Sequence, residues 1–146
     1  KEIFFLVPSI RLGDVEYRIV QEGVTVRQVP FGLDDRFHSY EFITPWLALN
    51  QENYHAFYRG KNSEERRDLL RRTLTGNLLS VSKSLNYQVP GQIRSEVNVR
   101  PLKQRVKDVN VVAFTGTFHC NFEIPDLLGI GKSVSRGFGA VQQKTE

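Results

Sequence analysis

The 146-residue chain has material for one domain and a small appendage, and 40% apolar residues with ten Phe and five Tyr suffice for a core. No apolar stretch approaches the roughly 20 residues of a membrane-spanning helix, and a single cysteine, Cys120, excludes an internal disulfide and points to a reducing cytoplasm. A net charge of +4 and a pI near 9.4 favour a polyanionic partner without establishing one. With no Met and an opening Lys1, the sequence reads as a piece of a longer product.

The first 30 residues read as short strands: Glu2–Val7, Val15–Val20 and Val24–Val29 are rich in β-branched and aromatic residues, and Gly13-Asp14 and Glu22-Gly23 mark turns between them. Pro30–Asp35 reads as a connector, and Phe37–Thr44 as a strand ended by Pro45. The period then turns helical. A short helix over Asn50–Tyr58 breaks at Gly60, and a longer one starts at Asn62, with Glu65 at capping-box spacing. Its apolar residues Leu70, Leu74, Leu78, Val81 and Leu85 make one stripe, while Arg66, Arg67, Arg71 and Arg72 lie off it. Gly76 costs this helix about 1 kcal/mol relative to Ala, which close packing at that position would explain. The helix should stop near Asn86, ahead of Pro90 and Gly91.

Strands are expected at Ile93–Leu102 and Val109–Ile124. In the second, Phe114, Gly116, Phe118, Cys120, Phe122 and Ile124 alternate with Thr115, Thr117, His119, Asn121 and Glu123, giving a core face and a polar face. A glycine-rich segment then leads into a last short strand, Phe138–Val141. From residue 37 the order is strand, helix, strand, strand, glycine-rich element, strand. This is the β-α-β-β-α-β order of an α+β, ferredoxin-like (RRM-like) domain with an antiparallel sheet and a shortened second helix. Residues 37–146 are therefore expected to form this domain, and residues 1–36 to be leading strands and linker in a preceding or additional sheet. The scaffold by itself licenses no activity.

The sharpest local signal is Gly129–Gly139 (GIGKSVSRGFG), with four glycines, two serines, Lys132 and Arg136 and no acid. Glycines let backbone amides approach and converge on an anion, the two cations can neutralise phosphates, and Ser133 and Ser135 can donate to phosphate oxygens. The same composition also suits a plain glycine-rich turn before an edge strand. Gly131-Lys132-Ser133 copies the end of a nucleotide-binding loop, but Asp126 stands where its first glycine belongs; Val134 likewise spoils a dinucleotide fingerprint.

His38, His55 and His119 are scattered over different elements without metal-ligand spacing, so each reads as structural, and no metal or cofactor is expected. Cys120 points to the core. Tyr40, Phe42, Trp46, Tyr54, Phe57 and Tyr58 could stack on bases, yet their spacing suits a core better. Arg94, Arg100, Lys103, Arg105 and Lys107 could track a phosphate backbone or simply face solvent.

The segment Leu128–Gly139, close to the end of a ferredoxin-like domain, resembles the C-terminal glycine-rich loop of the CRISPR-associated repeat-cleaving endoribonucleases, within the RAMP superfamily of antiviral defence. Tyr40–Asn50 (YEFITPWLALN), Leu74–Lys83 (LTGNLLSVSK) and Asn121–Asp126 (NFEIPD) resemble one subtype of that family, in order, so the likeness spans about residues 40–141. It implies a metal-independent cut in precursor CRISPR RNA, in which the RNA's own 2′-hydroxyl attacks the adjacent phosphate to leave a 2′,3′-cyclic phosphate and a 5′-hydroxyl. It implies RNA contact by Gly129, Gly131, Lys132, Ser133, Ser135, Arg136 and Gly137. The partner it implies is the precursor repeat RNA, with other CRISPR-associated proteins and a second copy of the chain as further candidates. Members of the subtype carry catalytic histidines in an N-terminal His-x-His stretch. This sequence has none, so no catalytic residue is carried over. The alternative is a non-catalytic repeat-RNA-binding module or a structural subunit of a CRISPR ribonucleoprotein.

Overall fold

The computed structural model describes residues 28–59 and 61–145, apart from the side chains of residues 51–53 and 56, together with three short earlier strands. Those are β1 (Ile3–Phe5), β2 (Ser9–Leu12) and β3 (Val15–Arg18). Among the described residues β2 and β3 pair only with each other, and β1 joins the main sheet. The expected strand over Val24–Val29 falls largely outside the described residues.

The sheet is built from β4 (Val29–Phe42), β5 (Ser95–Val106), β6 (Val109–Glu123) and β7 (Val141–Gln143). β6 runs between β4 and β5, and β7 pairs with the end of β4 from Tyr40 to Phe42, all antiparallel. Read as β7-β4-β6-β5, this is the ferredoxin-like arrangement, with β1 extending the sheet beside Val29–Phe31. The second helix of the motif shrinks to one 3-10 turn, Val134–Arg136.

β4 starts earlier than the sequence suggested, because the expected connector Pro30–Asp35 is its first half. Leu33 pairs with Phe122 and His38 with Cys120, so the four residues Asp34–Phe37 bulge opposite the single residue Asn121. Proline, glycine and paired aspartates at the strand's start read as a loop, but their pairing with β1 and β6 overrides that local preference. The last strand likewise begins three residues later than expected, at Val141.

Helix α1 spans Gln51–Tyr58 and α2 spans Ser63–Ser84. Asn62 caps α2: its Oδ1 accepts from the Glu65 N–H at 2.8 Å, and its own N–H donates to Glu65 Oε1 at 3.3 Å. Leu70, Leu74 and Leu78 are buried against the sheet, with Val81 and Leu85 at the margin. Between them Ser82 is buried too, its hydroxyl returned to the Leu78 carbonyl at 2.7 Å. Gly76 is not explained by packing among the described residues: a Cβ there would meet none of their atoms within 4 Å.

The opposing layer is aromatic. Phe31, Tyr40, Trp46, Phe114, Phe118 and Phe122 are fully buried, and Phe42 stacks on Trp46 with centroids 5.0 Å apart. Tyr40, Phe42, Trp46 and Phe57 are therefore core residues, whereas Tyr54 and Tyr58 remain exposed. Asn121 departs from the polar face predicted for it. It is buried, and its side chain accepts from the Arg94 N–H and donates to the Gln92 carbonyl, fixing the entry to β5. Among the described residues no helix is long and apolar enough to cross a membrane.

Candidate nucleic-acid interface

The segment after β6 folds back on itself as a hairpin along the sheet edge. Its root is held by Val141 N–H to the Leu128 carbonyl at 3.1 Å and Ile130 N–H to the Gly139 carbonyl at 3.0 Å. Its other side lies along residues 43–47. Ile43 N–H donates to the Ala140 carbonyl at 2.9 Å, Gly139 N–H to the Pro45 carbonyl at 2.8 Å, and Lys132 N–H to the Leu47 carbonyl at 2.9 Å. The buried Trp46 carries the connection inward, donating its indole N–H to Asn77 Oδ1 on α2 at 2.9 Å.

This close approach uses the room that three glycines leave. A Cβ on Gly129 would fall 2.4 Å from Val134, and one on Gly131 would fall 2.8 Å from both the Leu47 carbonyl and the Trp46 ring. On Gly139, at φ +77°, a Cβ would sit 1.9 Å from the Ile130 carbonyl oxygen. Gly129 and Gly131 are accordingly half-buried. Gly137 is different: its φ is +94°, but among the described residues nothing lies within 4 Å of where its Cβ would be.

The tip runs from Lys132 to Gly137. Ser133, at φ 58° and ψ 34°, and Gly137 are both left-handed and flank the 3-10 turn. Arg136 N–H closes on the Ser133 carbonyl and Gly137 N–H on the Val134 carbonyl, so these two amides are committed within the chain. Those of Gly131, Ser133, Val134 and Ser135 meet no acceptor among the described residues. Lys132, Ser135, Arg136 and Gly137 are exposed, Ser133 is half-buried, and neither cation has an acidic partner among the described residues. Chemically the tip offers two unpaired positive charges, two hydroxyls and several outward amides, a set suited to phosphate oxygens.

The histidines are placed elsewhere. His38 Nε2 lies 2.7 Å from Asp34 Oδ2, and this hydrogen bond holds the Asp34 carboxyl below its usual range. With Glu123 they form a set whose ligand atoms lie within 4.8 Å of one another. Sequence reasoning missed this grouping, since residues 34 and 38 meet only because the bulge turns the strand there. His119 is exposed, its Nδ1 2.7 Å from the Ser39 hydroxyl. Cys120 is buried, and burial pushes its thiol up to about 12, which leaves it unreactive. Arg94, Arg100, Lys103, Arg105 and Lys107 are all exposed along β5 and its turn, with Arg105 3.8 Å from Asp108.

Strand order and edge hairpin together define a ferredoxin-like α+β domain whose outermost connection is basic and glycine-rich. Residues 32–144 match the family model of the Cas6b C-terminal domain. The chain belongs to that family. It is 36% identical over 141 residues to the uncharacterized protein MJ0978 of Methanocaldococcus jannaschii, covering 96% of this chain and 95% of that one. Among solved structures, it is similar to a crystal structure of Cas6b with TM-score 0.79 and 39% identity, covering 82% of this chain and 62% of the other. It is also similar to a crystal structure of the CRISPR RNA processing endoribonuclease Cas6b, with TM-score 0.75, 37% identity and coverages of 86% and 66%. The chain thus spans just under two thirds of either solved chain. A type IV Cas6 crRNA endonuclease, Csf5, shares the fold at TM-score 0.55 and 16% identity.

Proposed function

We propose that this chain is the RNA-gripping part of an endoribonuclease that processes CRISPR repeat RNA, and that the hairpin tip holds the sugar–phosphate strand. The observation that carries the reading is the unpaired Lys132 and Arg136 on an acid-free tip, in a domain whose family includes a CRISPR RNA processing endoribonuclease. Ser133 and Ser135 add donors, and Gly137 supplies the turn that presents Arg136. Gly129 and Gly131 act mainly by seating the hairpin, with the Gly131 amide available to the ligand.

In this reading the RNA-holding domain is the expected residues 37–146 together with Val29–Arg36, the first half of β4; β1 extends the same sheet, and β2 and β3 form a separate pair. The cut is metal-independent: the 2′-hydroxyl attacks the adjacent phosphorus, its proton goes to a general base, and the 5′-oxygen leaves with a proton from a general acid. A 2′,3′-cyclic phosphate and a 5′-hydroxyl remain. No residue of this chain is assigned as base or acid. His38 is engaged by Asp34 and His119 by Ser39, and the catalytic histidines belong to a region outside these 146 residues. The protein acts in the cytoplasm, alone, as a homodimer or with other CRISPR-associated proteins.

Binding of repeat RNA measured across a salt series tests the grip. Lys132→Ala with Arg136→Ala is expected to weaken binding and to flatten the salt slope by about 0.7 for each single-strand phosphate that is no longer neutralised. An unchanged slope overturns the assignment. The M. jannaschii relative, matched along 95% of its length, favours a second reading: a non-catalytic repeat-RNA-binding module or structural subunit. Incubating repeat transcript in EDTA with this chain, and with a longer protein containing it, separates the two. Cleavage by the longer protein but not the chain supports the first reading, cleavage by neither supports the second, and any cleavage by the chain on its own overturns the placement of the catalytic histidines.

A further inference from the structure

At the β5 edge of the sheet, away from the hairpin, a groove of about 480 Å³ opens between α2 and the start of β5. That volume lies within the roughly 300–1,000 Å³ range of small-ligand sites. Among its lining residues is Phe37, which lies in the β4 bulge and is 49% exposed. The Arg94 guanidinium lies over that ring at 5.9 Å from its centroid. Arg71 and Arg72 line the α2 wall. Both reach the one Asp68 carboxylate, Arg72 at 3.6 Å with 67% of its side chain exposed, so the trio stays net positive. Arg94 meets no acid among the described residues, and Glu96 is the only acid among those lining the groove.

A second, independent feature is Ser95. It is 5% exposed, lines the groove, and its hydroxyl is the one buried side-chain polar atom without a partner among the described residues. Flanked by Ile93 and Val97 on the core face of β5, this position needs no hydroxyl for packing. An unpaired buried hydroxyl is destabilising unless something else uses it.

The geometry points to a second RNA contact here: the groove holds one nucleotide of a single-stranded segment, its base against Phe37 and its phosphodiester against Arg94 and Arg72, with the Ser95 hydroxyl donating from the floor. An aromatic ring beside guanidiniums that keep a net positive charge is what a sequence-tolerant single-strand site requires, since every base has a π-face and every linkage a charge. The inference rests on the proposed RNA-binding function and extends it from one edge of the sheet to the other.

The test titrates the full chain with fluorescein-labelled decauridylate at several salt concentrations. Phe37→Ala and Arg94→Ala are each expected to weaken binding about fivefold or more, the low end for one base stacked on an aromatic ring. Arg94→Ala should also lower the salt slope by about 0.7. Phe37→Trp should retain binding, with its emission quenched by decauridylate against the constant background of buried Trp46. Ser95→Ala should keep or raise the thermal midpoint while weakening binding. Unchanged affinity in the Phe37 and Arg94 variants, with Lys132→Ala and Arg136→Ala still weakening it, overturns the groove and leaves the hairpin reading standing. The converse pattern supports the groove and overturns the hairpin, and no decauridylate binding by the unaltered chain overturns both. Uridine monophosphate should not quench Phe37→Trp at concentrations where decauridylate does; if it does so equally well, the site takes free nucleotides and the RNA-strand assignment falls.

Discussion

At the root of the edge hairpin, Gly129, Gly131 and Gly139 leave room that Val134, the Trp46–Leu47 segment and the Ile130 carbonyl occupy, whereas at its tip Gly137 faces open space. The amides follow the same division: Ile130, Lys132 and Gly139 donate to the protein, while those of Ser133 to Ser135 do not. A stretch of uniform composition therefore divides in two. Its root is a sheet-edge seam that lies along Trp46, and the six residues from Lys132 to Gly137 form the outward tip that we propose meets the RNA. The lesson for glycine-rich segments is that glycine content reports close approach, and the structure decides whether protein or ligand is what approaches.

The strongest way to break this contrast is Gly139→Ala. A Cβ 1.9 Å from a backbone oxygen cannot be relieved by rotating a side chain, and the φ of +77° adds strain. The root must detach, so the expected loss is at the exceptional end of single substitutions, above about 4 kcal/mol in urea unfolding. A loss under about 1 kcal/mol would mean that the seam is soft and the division unreal.

Gly137→Ala sharpens the same contrast at lower cost. No neighbour stands within 4 Å, so only the left-handed backbone is penalised, by about 1–2 kcal/mol. Gly137→Asn, a residue that tolerates this conformation, should recover much of that loss. Unfolding midpoints of the two variants give the comparison directly.

Gly76 is a third kind of glycine, exposed in the middle of α2 with neither a neighbour nor a positive φ. Gly76→Ala should raise stability by about 1 kcal/mol. A loss instead would point to a contact that the isolated chain does not show.

The legible parts of the sequence were those where local chemistry and tertiary structure agree. The Asn62–Glu65 capping box and the leucine stripe located α2, and the alternation from Phe114 to Ile124 gave the core face of β6. The bulge at Asp34–Phe37 was hidden, since it exists only through pairing of Leu33 with Phe122 and His38 with Cys120. The groove of Phe37, Arg94 and Ser95 was hidden with it. Asn121 looked like a surface residue because its partners, the Gln92 carbonyl and the Arg94 amide, lie 29 and 27 residues away. In the hairpin the composition was visible but its partition was not, because the Ile43–Leu47 segment that claims the root comes from the other end of the domain.

The smallest expected effect is the most discriminating. Lys132 and Arg136 are exposed and have no acidic partner among the described residues, so replacing both with Ala should change stability by no more than about 0.5 kcal/mol. The Lys132 amide still reaches the Leu47 carbonyl in such a variant, so the seam stays closed. RNA affinity is the quantity that should move. If thermal unfolding shows a clear loss while RNA binding holds, the two cations belong with the root as structural residues. The division between seam and ligand-facing tip would then have to be redrawn around the amides of Ser133 to Ser135 alone.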